Sequence, residues 1–87
     1  MSALSDLPNI GQDTERLLNE VGICSQDELK SCGAEQAWLR IQLIDQSACY
    51  NRLLGLEGAI QGVKKASLSE DRKKELKEFY NKNKALG

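Results

Sequence analysis

The stretch Leu7-Pro8-Asn9-Ile10-Gly11 decides the interpretation of this chain. Pro8 fixes its own φ angle and restricts the residue before it, so a preceding helix ends here. Gly11 can adopt backbone conformations that a Cβ atom resists. A helix-period pattern begins directly afterwards, at Gln12-Asp13-Thr14-Glu15. The stretch therefore predicts the tight turn of a helix-hairpin-helix unit, whose apolar flanks enter a core.

Length and composition favour one small folded domain. The chain has 87 residues, of which 40% are hydrophobic and 29% are charged. We predict a single domain over residues 1–87, with a compact core over about 5–82. No apolar run reaches the length of a membrane span, and the N-terminus lacks the basic and apolar blocks of a signal peptide. We therefore expect a cytoplasmic protein that does not associate with membranes.

Cysteine and histidine content argues against an enzyme. The three cysteines, Cys24, Cys32 and Cys49, are widely spaced, and there is no histidine. A zinc site usually needs four close ligands, and a catalytic thiol needs a base. We predict packing thiols in a reducing compartment, no cofactor, no metal and no catalytic activity.

Helix signals occur five times and strand signals are absent, which predicts an all-α fold with five helices. Gly22 and Gly33 are expected to stop helices one and two, and Ser25 with Glu28 has the spacing of a capping box. In helix three, Leu39 and Leu43 add a second apolar strip to a stripe ending at Ile44, so we expect it to be covered on more than one side. The helices are predicted at about Gln12 to Val21, Gln26 to Ser31, Ala34 to Ile44, Ala48 to Val63 (capped by Ser47), and Ser67 or Ser69 to Lys82.

Helix four contains three glycines, Gly55, Gly58 and Gly62. Each interior glycine costs about 1 kcal/mol relative to alanine, so close packing should offset it. We predict that Gly58 and Gly62, one turn apart, leave a groove for a neighbouring helix. A flexible hinge or a partner groove is the alternative.

Several separate blocks resemble the C-terminal domain of the TfoX/Sxy family, the regulators of bacterial competence. They cover roughly residues 5 to 80 and are Leu7-Pro8-Asn9-Ile10-Gly11, Thr14-Glu15-Arg16-Leu17-Leu18, Glu20-Val21-Gly22-Ile23, Gly33-Ala34-Glu35-Gln36-Ala37-Trp38-Leu39-Arg40 and Leu56-Glu57-Gly58-Ala59-Ile60-Gln61-Gly62. The resemblance implies a compact helical domain with a helix-hairpin-helix core of the SAM-like kind. In longer members this domain follows an α/β domain, and the whole protein is tied to DNA uptake and transcriptional activation. We expect a stand-alone version of the domain here.

Charge is unevenly distributed between the two halves. Residues 1–45 carry three basic and eight acidic side chains, a net −5, whereas residues 46–87 carry nine basic and five acidic ones, a net +4. The hairpin lies in the acidic half, and Asn9 stands where a phosphate-gripping hairpin often has glycine. Asn9 tolerates the left-handed conformation, but Asp13 and Glu15 would repel a phosphate. The hairpin is interpreted as a structural joint, with a DNA contact as the alternative.

Two interaction hypotheses remain for the second half of the chain. Its lysines, with Arg72, are spaced for one basic patch that binds DNA weakly, although Glu70-Lys74 and Glu78-Lys82 are also the pairs of a solvated helix. Trp38, Tyr50 and Tyr80 are candidate anchors for a protein partner or a second copy of this chain through helix four or five, although Trp38 also fits a core position. The candidate partner or DNA face comprises Tyr50, Lys64, Lys65, Lys73 and Lys77.

Overall fold

Five α-helices and two single-turn 3-10 helices account for the regular structure of the described residues. The computed structural model describes residues 4–45 and 48–83. The all-α prediction is confirmed within these ranges, while the helix-hairpin-helix interpretation stays a prediction. In chain order the elements are a first 3-10 helix (Leu4–Asp6), α1 (Gln12–Glu20), α2 (Gln26–Cys32), α3 (Ala34–Ile44), α4 (Tyr50–Gln61), a second 3-10 helix (Lys65–Ser67) and α5 (Glu70–Asn83).

Local capping signals set most helix ends. The Ser25 Oγ accepts a hydrogen bond from the Glu28 amide at 3.1 Å, and the Glu28 carboxylate accepts one from the Cys24 amide. Gly22 and Gly33 both have positive φ angles, +89° and +87°, as their predicted stop roles require. The Ser69 Oγ accepts a hydrogen bond from the Arg72 amide, so the second of the two proposed starts of α5 is the right one.

Helix α4 is shorter than predicted at both ends. It begins at Tyr50, after Cys49 as its N-cap, and the predicted cap Ser47 lies outside the described residues. It ends at Gln61, because Gly62 adopts the left-handed conformation with φ +76°. The Val63 amide then donates to the Gly58 carbonyl at 2.9 Å, and the Gly62 amide to the Ala59 carbonyl. This Schellman motif makes Gly62 a helix stop, so its predicted place in the helix interior is wrong.

The short α4 lies at the centre of the fold. Every residue from Leu53 to Ala59 is buried, and the helix packs against α2, α3 and α5. Trp38 of α3 is fully buried and donates its indole N–H to the Cys49 carbonyl at 3.2 Å, which confirms its core position. Phe79 and Tyr80 of α5 close the core with edge-on contacts to the Trp38 ring. In the described part of the chain, no helix is long and apolar enough to cross a bilayer.

Candidate interaction surfaces

The turn that opens the chain takes its shape from Asn9 rather than from Gly11. Asn9 has a φ angle of +68°, and it is the one described non-glycine residue with a positive φ. Gly11 is extended, with φ −93°, and a Cβ atom there would meet nothing within 4 Å. The expectation that Gly11 supplies the special backbone conformation is therefore wrong. Asparagine is the non-glycine residue type that best tolerates this region, as the sequence analysis allowed.

The Asn9 side chain ties the turn to the loop that follows α4. Its Nδ2 donates to the Val63 carbonyl at 3.0 Å, and its Oδ1 accepts from the Lys65 amide at 3.2 Å. The amides of Leu7 and Ile10 donate within the turn itself, to the Leu4 and Leu7 carbonyls. The backbone amides of Leu7 and Ile10 are thus engaged inside the protein rather than offered to a phosphate. This arrangement supports the interpretation of the turn as a structural joint.

Of the three glycines predicted to pack closely in helix four, Gly55 and Gly58 lie against this turn. A Cβ atom on Gly58 would lie 2.5 Å from the Asn9 Nδ2 and 2.7 Å from the Val63 carbonyl oxygen. At Gly55 the nearest atom would be the Asn9 Cβ, at 3.4 Å. The neighbour that approaches is therefore the turn and not a helix. A Cβ on Gly62 would meet nothing within 4 Å, so this residue is not part of the close approach.

Arg72 forms an ionic clamp between three helices. Its guanidinium donates to the Glu57 carboxylate of α4 at 2.8 Å and to the Glu35 carboxylate of α3 at 2.8 Å. Glu57 is 8% exposed and also accepts a hydrogen bond from Gln61. The predicted place of Arg72 in one basic patch with the lysines is therefore wrong. The missed signal was Glu57 itself, a carboxylate within the apolar run of α4.

The clamp sets the ionisation of Glu57. Burial raises the pKa of the Glu57 carboxyl, but the hydrogen bonds from Arg72 and Gln61 and the positive charge of Arg72 outweigh it, so its pKa is lowered. The carboxylates of Glu57 and Glu35 hold the pKa of Arg72 above its ordinary value, mainly because they accept hydrogen bonds from its guanidinium, Glu57 having the larger effect. The clamp therefore stays charged at neutral pH.

Part of the candidate partner or DNA face forms one connected surface. The Tyr50 hydroxyl donates to the Lys73 carbonyl at 3.0 Å, and the Lys77 Nζ lies 4.9 Å above the Tyr50 ring. The Lys73 Nζ reaches the Ala66 carbonyl at 3.5 Å, which brings the segment with Lys64 and Lys65 alongside. We call this the lysine–tyrosine face, defined by Tyr50, Lys64, Lys65, Lys73 and Lys77. Tyr50 is half-buried and anchors α5 on α4 within this surface.

The last turn of α3 exposes two large apolar side chains. Leu43 is 85% exposed and Ile44 is 49% exposed, and among the described residues they are the exposed large hydrophobics. The predicted burial of Ile44 and the predicted cover over Leu43 are both wrong. The helical period is continuous through Ile44, but the core contacts of α3 end at Ile41, so nothing within the sequence pattern marks the difference. We call Leu43 and Ile44 the α3 end.

A shallow cleft adjoins the α3 end. It has a volume of about 390 Å³ and lies between α2, α3 and the C-terminus of α1. Its charged lining comprises Asp27 and Glu28 of α2 and Arg40 of α3, all exposed. Arg40 lies one turn before Leu43 and Ile44 on the same side of α3, so the cleft and the α3 end are neighbours. Cys32 also lines the cleft, and like Cys24 and Cys49 it is a free thiol. Cys32 is half-buried, but Cys24 and Cys49 are exposed, so the prediction of packing thiols is wrong for those two.

Comparison with known proteins identifies this helical arrangement. A family model described as the TfoX C-terminal domain matches residues 1–80. The chain belongs to the TfoX C-terminal domain family. The matched range includes all the sequence blocks quoted above, so the resemblance stated from them is confirmed.

Three similar proteins show how much of each relative this chain covers. Protein Sxy of Escherichia coli (strain K12) is 40% identical over 76 residues, which are 87% of this chain and 36% of Sxy. A crystal structure of an uncharacterized protein from Listeria monocytogenes, in a triclinic form, has a TM-score of 0.92 at 44% identity, covering 93% of this chain and 92% of the other. A tetragonal-form structure of a protein of unknown function from Listeria monocytogenes has a TM-score of 0.89 at 46% identity, covering 91% and 96%. This chain therefore spans about a third of Sxy and nearly all of the Listeria chains.

Proposed function

We propose that this domain is a non-enzymatic regulatory module that docks onto another protein through the α3 end. The observation that carries the proposal is the exposure of the consecutive residues Leu43 and Ile44 in the last turn of α3. Covering apolar surface is worth roughly 25 cal/mol per Å², so a partner that seats these side chains gains binding energy at once. Membership of a regulator family supports a role without catalysis.

The α3 end is a better docking surface than helices four and five, which the sequence analysis favoured. Helix α4 is buried along Leu53 to Ala59 and has little free surface to offer. Helix α5 buries Leu76 against the core, while its outward residues are mostly charged. Tyr50 and Tyr80, two of the proposed anchors, are half-buried and in contact with each other.

Weak, sequence-independent DNA binding in transcription or DNA uptake is the alternative function. The lysine–tyrosine face favours it, because Lys77 lies over the Tyr50 ring and Lys73 contacts the Tyr50 hydroxyl. The Lys73 side chain also reaches the segment that carries Lys64 and Lys65. Affinity of this kind depends on the number of phosphates neutralised. The clamp withdraws Arg72 from this surface, and Glu70 pairs with Lys73 at 3.7 Å. The remaining charge is small for a DNA-binding domain, so we favour the protein partner.

Photo-crosslinking in the native cell tests the docking function. A photoreactive amino acid replaces Leu43 in one variant and the exposed Lys74 of α5 in a control variant. We expect position 43 to crosslink to a discrete protein band and position 74 to give none, because the docking surface lies at the end of α3. Unchanged thermal unfolding of both variants confirms that the fold is intact.

A DNA-binding measurement distinguishes the two functions. The docking function is wrong and the alternative holds under two conditions: position 43 gives no protein adduct, and the chain retards DNA in a low-salt mobility-shift assay. The DNA retardation must also disappear in the double variant Lys65→Gln, Lys77→Gln. If the double variant and the control Lys82→Gln both retard DNA as the original chain does, the lysine–tyrosine face is not the DNA site.

A further inference from the structure

We infer that the α3 end and the adjoining acidic cleft together bind a basic amphipathic helix of a partner protein. This inference rests on the docking function proposed above and specifies the chemistry of the partner. Two observations carry it: an apolar helix face without cover, and a carboxylate pair beside it. The two features meet at Arg40, which belongs to the outward face of α3 and also lines the cleft.

The outward face of α3 carries a short apolar strip. Leu39 and Leu43 are four residues apart and lie on one side of the helix, where Leu39 is half-buried and Leu43 is exposed. Ile44 is exposed about 100° further round the helix, one turn beyond Arg40 and therefore towards the cleft. Apolar side chains in these positions suit the i, i+3, i+4 and i+7 anchors of an amphipathic helix laid alongside α3.

The charge beside the strip is negative. Asp27 and Glu28 are exposed carboxylates in the first turn of α2, and they line the cleft with the single cation Arg40. Helix α1 ends at the same cleft, where its last carbonyl groups carry partial negative charge. A lysine or arginine from a helix seated on Leu43 and Ile44 would therefore meet a cleft in which two carboxylates outweigh the one guanidinium of Arg40, and this net negative charge disfavours a glutamate.

A second copy of this chain is a poorer occupant of the same surface. A symmetric pair that apposes two α3 ends would bring the carboxylates of both copies towards one another, which costs like-charge repulsion. A copy that instead presents its lysine–tyrosine face would form a head-to-tail contact that does not close on two subunits. The charge pattern therefore favours a different, basic partner.

Peptide binding tests the inference directly. The probe is a synthetic helical peptide of about four turns, with leucines at i, i+3, i+4 and i+7 and lysines flanking them. The comparison peptide is identical except that glutamate replaces every lysine, and a third peptide keeps the lysines but breaks the leucine spacing. Fluorescence anisotropy with the full chain gives each affinity at about 50 mM and about 200 mM salt.

Three variants locate the binding site. Leu43→Ser with Ile44→Ser removes the apolar strip, and Asp27→Asn with Glu28→Gln removes the two charges while keeping an acceptor for the Cys24 amide. The matched control, Asp13→Asn with Glu78→Gln, removes two exposed carboxylates that do not line the cleft. Circular dichroism confirms that each variant folds.

The expected result is a lysine peptide that binds about ten-fold more tightly than its glutamate counterpart at low salt. The apolar variant abolishes this binding, the cleft variant weakens it several-fold, and the control variant leaves it within about two-fold, since distant exposed charges are screened. Equal affinity for both spaced peptides would leave the docking function standing and overturn the basic partner. Equal weakening by the control variant would show unspecific charge attraction and overturn it too.

Two further outcomes also overturn the inference. Absence of binding by any spaced peptide rejects the α3 end as a helix-docking strip, while the crosslinking at position 43 judges the broader docking function independently. A dimer in sedimentation velocity that disappears in the Leu43→Ser, Ile44→Ser variant would assign the surface to a second copy of this chain.

Discussion

The Arg72 clamp and the α3 end both contradict the burial expected from their residue types, but in opposite ways. In the clamp, a charged residue of the basic α5 turns inward and bonds to Glu57 and Glu35. At the α3 end, apolar residues that continue a helical stripe turn outward. The two regions differ in whether another helix packs against them. Where α4 packs against α3 and α5, the charged side chains of Glu35, Glu57 and Arg72 form ion pairs inside the fold. At the end of α3 no described element covers the helix, and its apolar side chains stay exposed.

Among substitutions in the clamp, the turn and the α3 end, breaking the clamp should produce the largest loss of stability. Arg72→Met leaves the buried Glu57 carboxylate without its cation, and we expect the free energy of unfolding to fall by about 3 kcal/mol. Urea unfolding followed by circular dichroism measures the change. Lys74→Met, at an exposed position two residues further along α5, should change the unfolding free energy by less than about 0.5 kcal/mol.

A double substitution sharpens the meaning of that loss. If the cost of Arg72→Met comes from an unpaired charge, adding Glu57→Met should recover part of it, because an apolar pair needs no desolvation. A double variant as unstable as the sum of the two singles would show instead that packing around Arg72 dominates.

Gly58→Ala should come next in magnitude. The added methyl would lie 2.7 Å from the Val63 carbonyl oxygen, a backbone atom that cannot move without disturbing the Schellman motif. Overpacking of this kind costs about 2 kcal/mol, and helix propensity returns less than half of it. Gly11→Ala is the matched control, because a methyl there meets nothing within 4 Å. Equal urea midpoints for the two variants would contradict the close approach of the turn to α4.

Local structure could be predicted from the sequence, whereas contacts between residues far apart in the chain could not. The bounds of α3, the stop glycines of α1 and α2 and the Ser25 cap follow from signals within a few residues. The Arg72 bond to Glu35 joins residues 37 positions apart, and the Asn9 bond to Val63 joins residues 54 apart. Such pairings depend on how helices cross, which no helical period encodes. For the same reason the exposure of the α3 end, on which the candidate site depends, could not be derived.

Acid should weaken the clamp more gently than removal of Arg72 does. The folded state holds the pKa of Glu57 below its unfolded value, so its ionised carboxylate contributes stability above that unfolded value, near 4.5. That contribution is lost as the pH falls through the lowered pKa of the folded state. We expect the unfolding free energy to drop between pH 5 and pH 3 by a fraction of the Arg72→Met loss. In Glu57→Gln the drop should be smaller, and an equal drop would assign the acid sensitivity to other carboxylates.

Removing the apolar side chains of the α3 end should have the smallest effect on stability, although they are aliphatic like the core residue Ile41 beside them. Leu43→Ser with Ile44→Ser should shift the unfolding free energy by less than about 0.5 kcal/mol per residue, because both side chains already contact water in the folded state. Ile41→Ser, one turn earlier and fully buried, should cost more than about 3 kcal/mol. The two measurements together separate residues that hold the fold from residues available to a partner. A loss at Leu43 and Ile44 comparable to that at Ile41 would mean that the α3 end is covered in solution, and the comparison with the clamp would then fail.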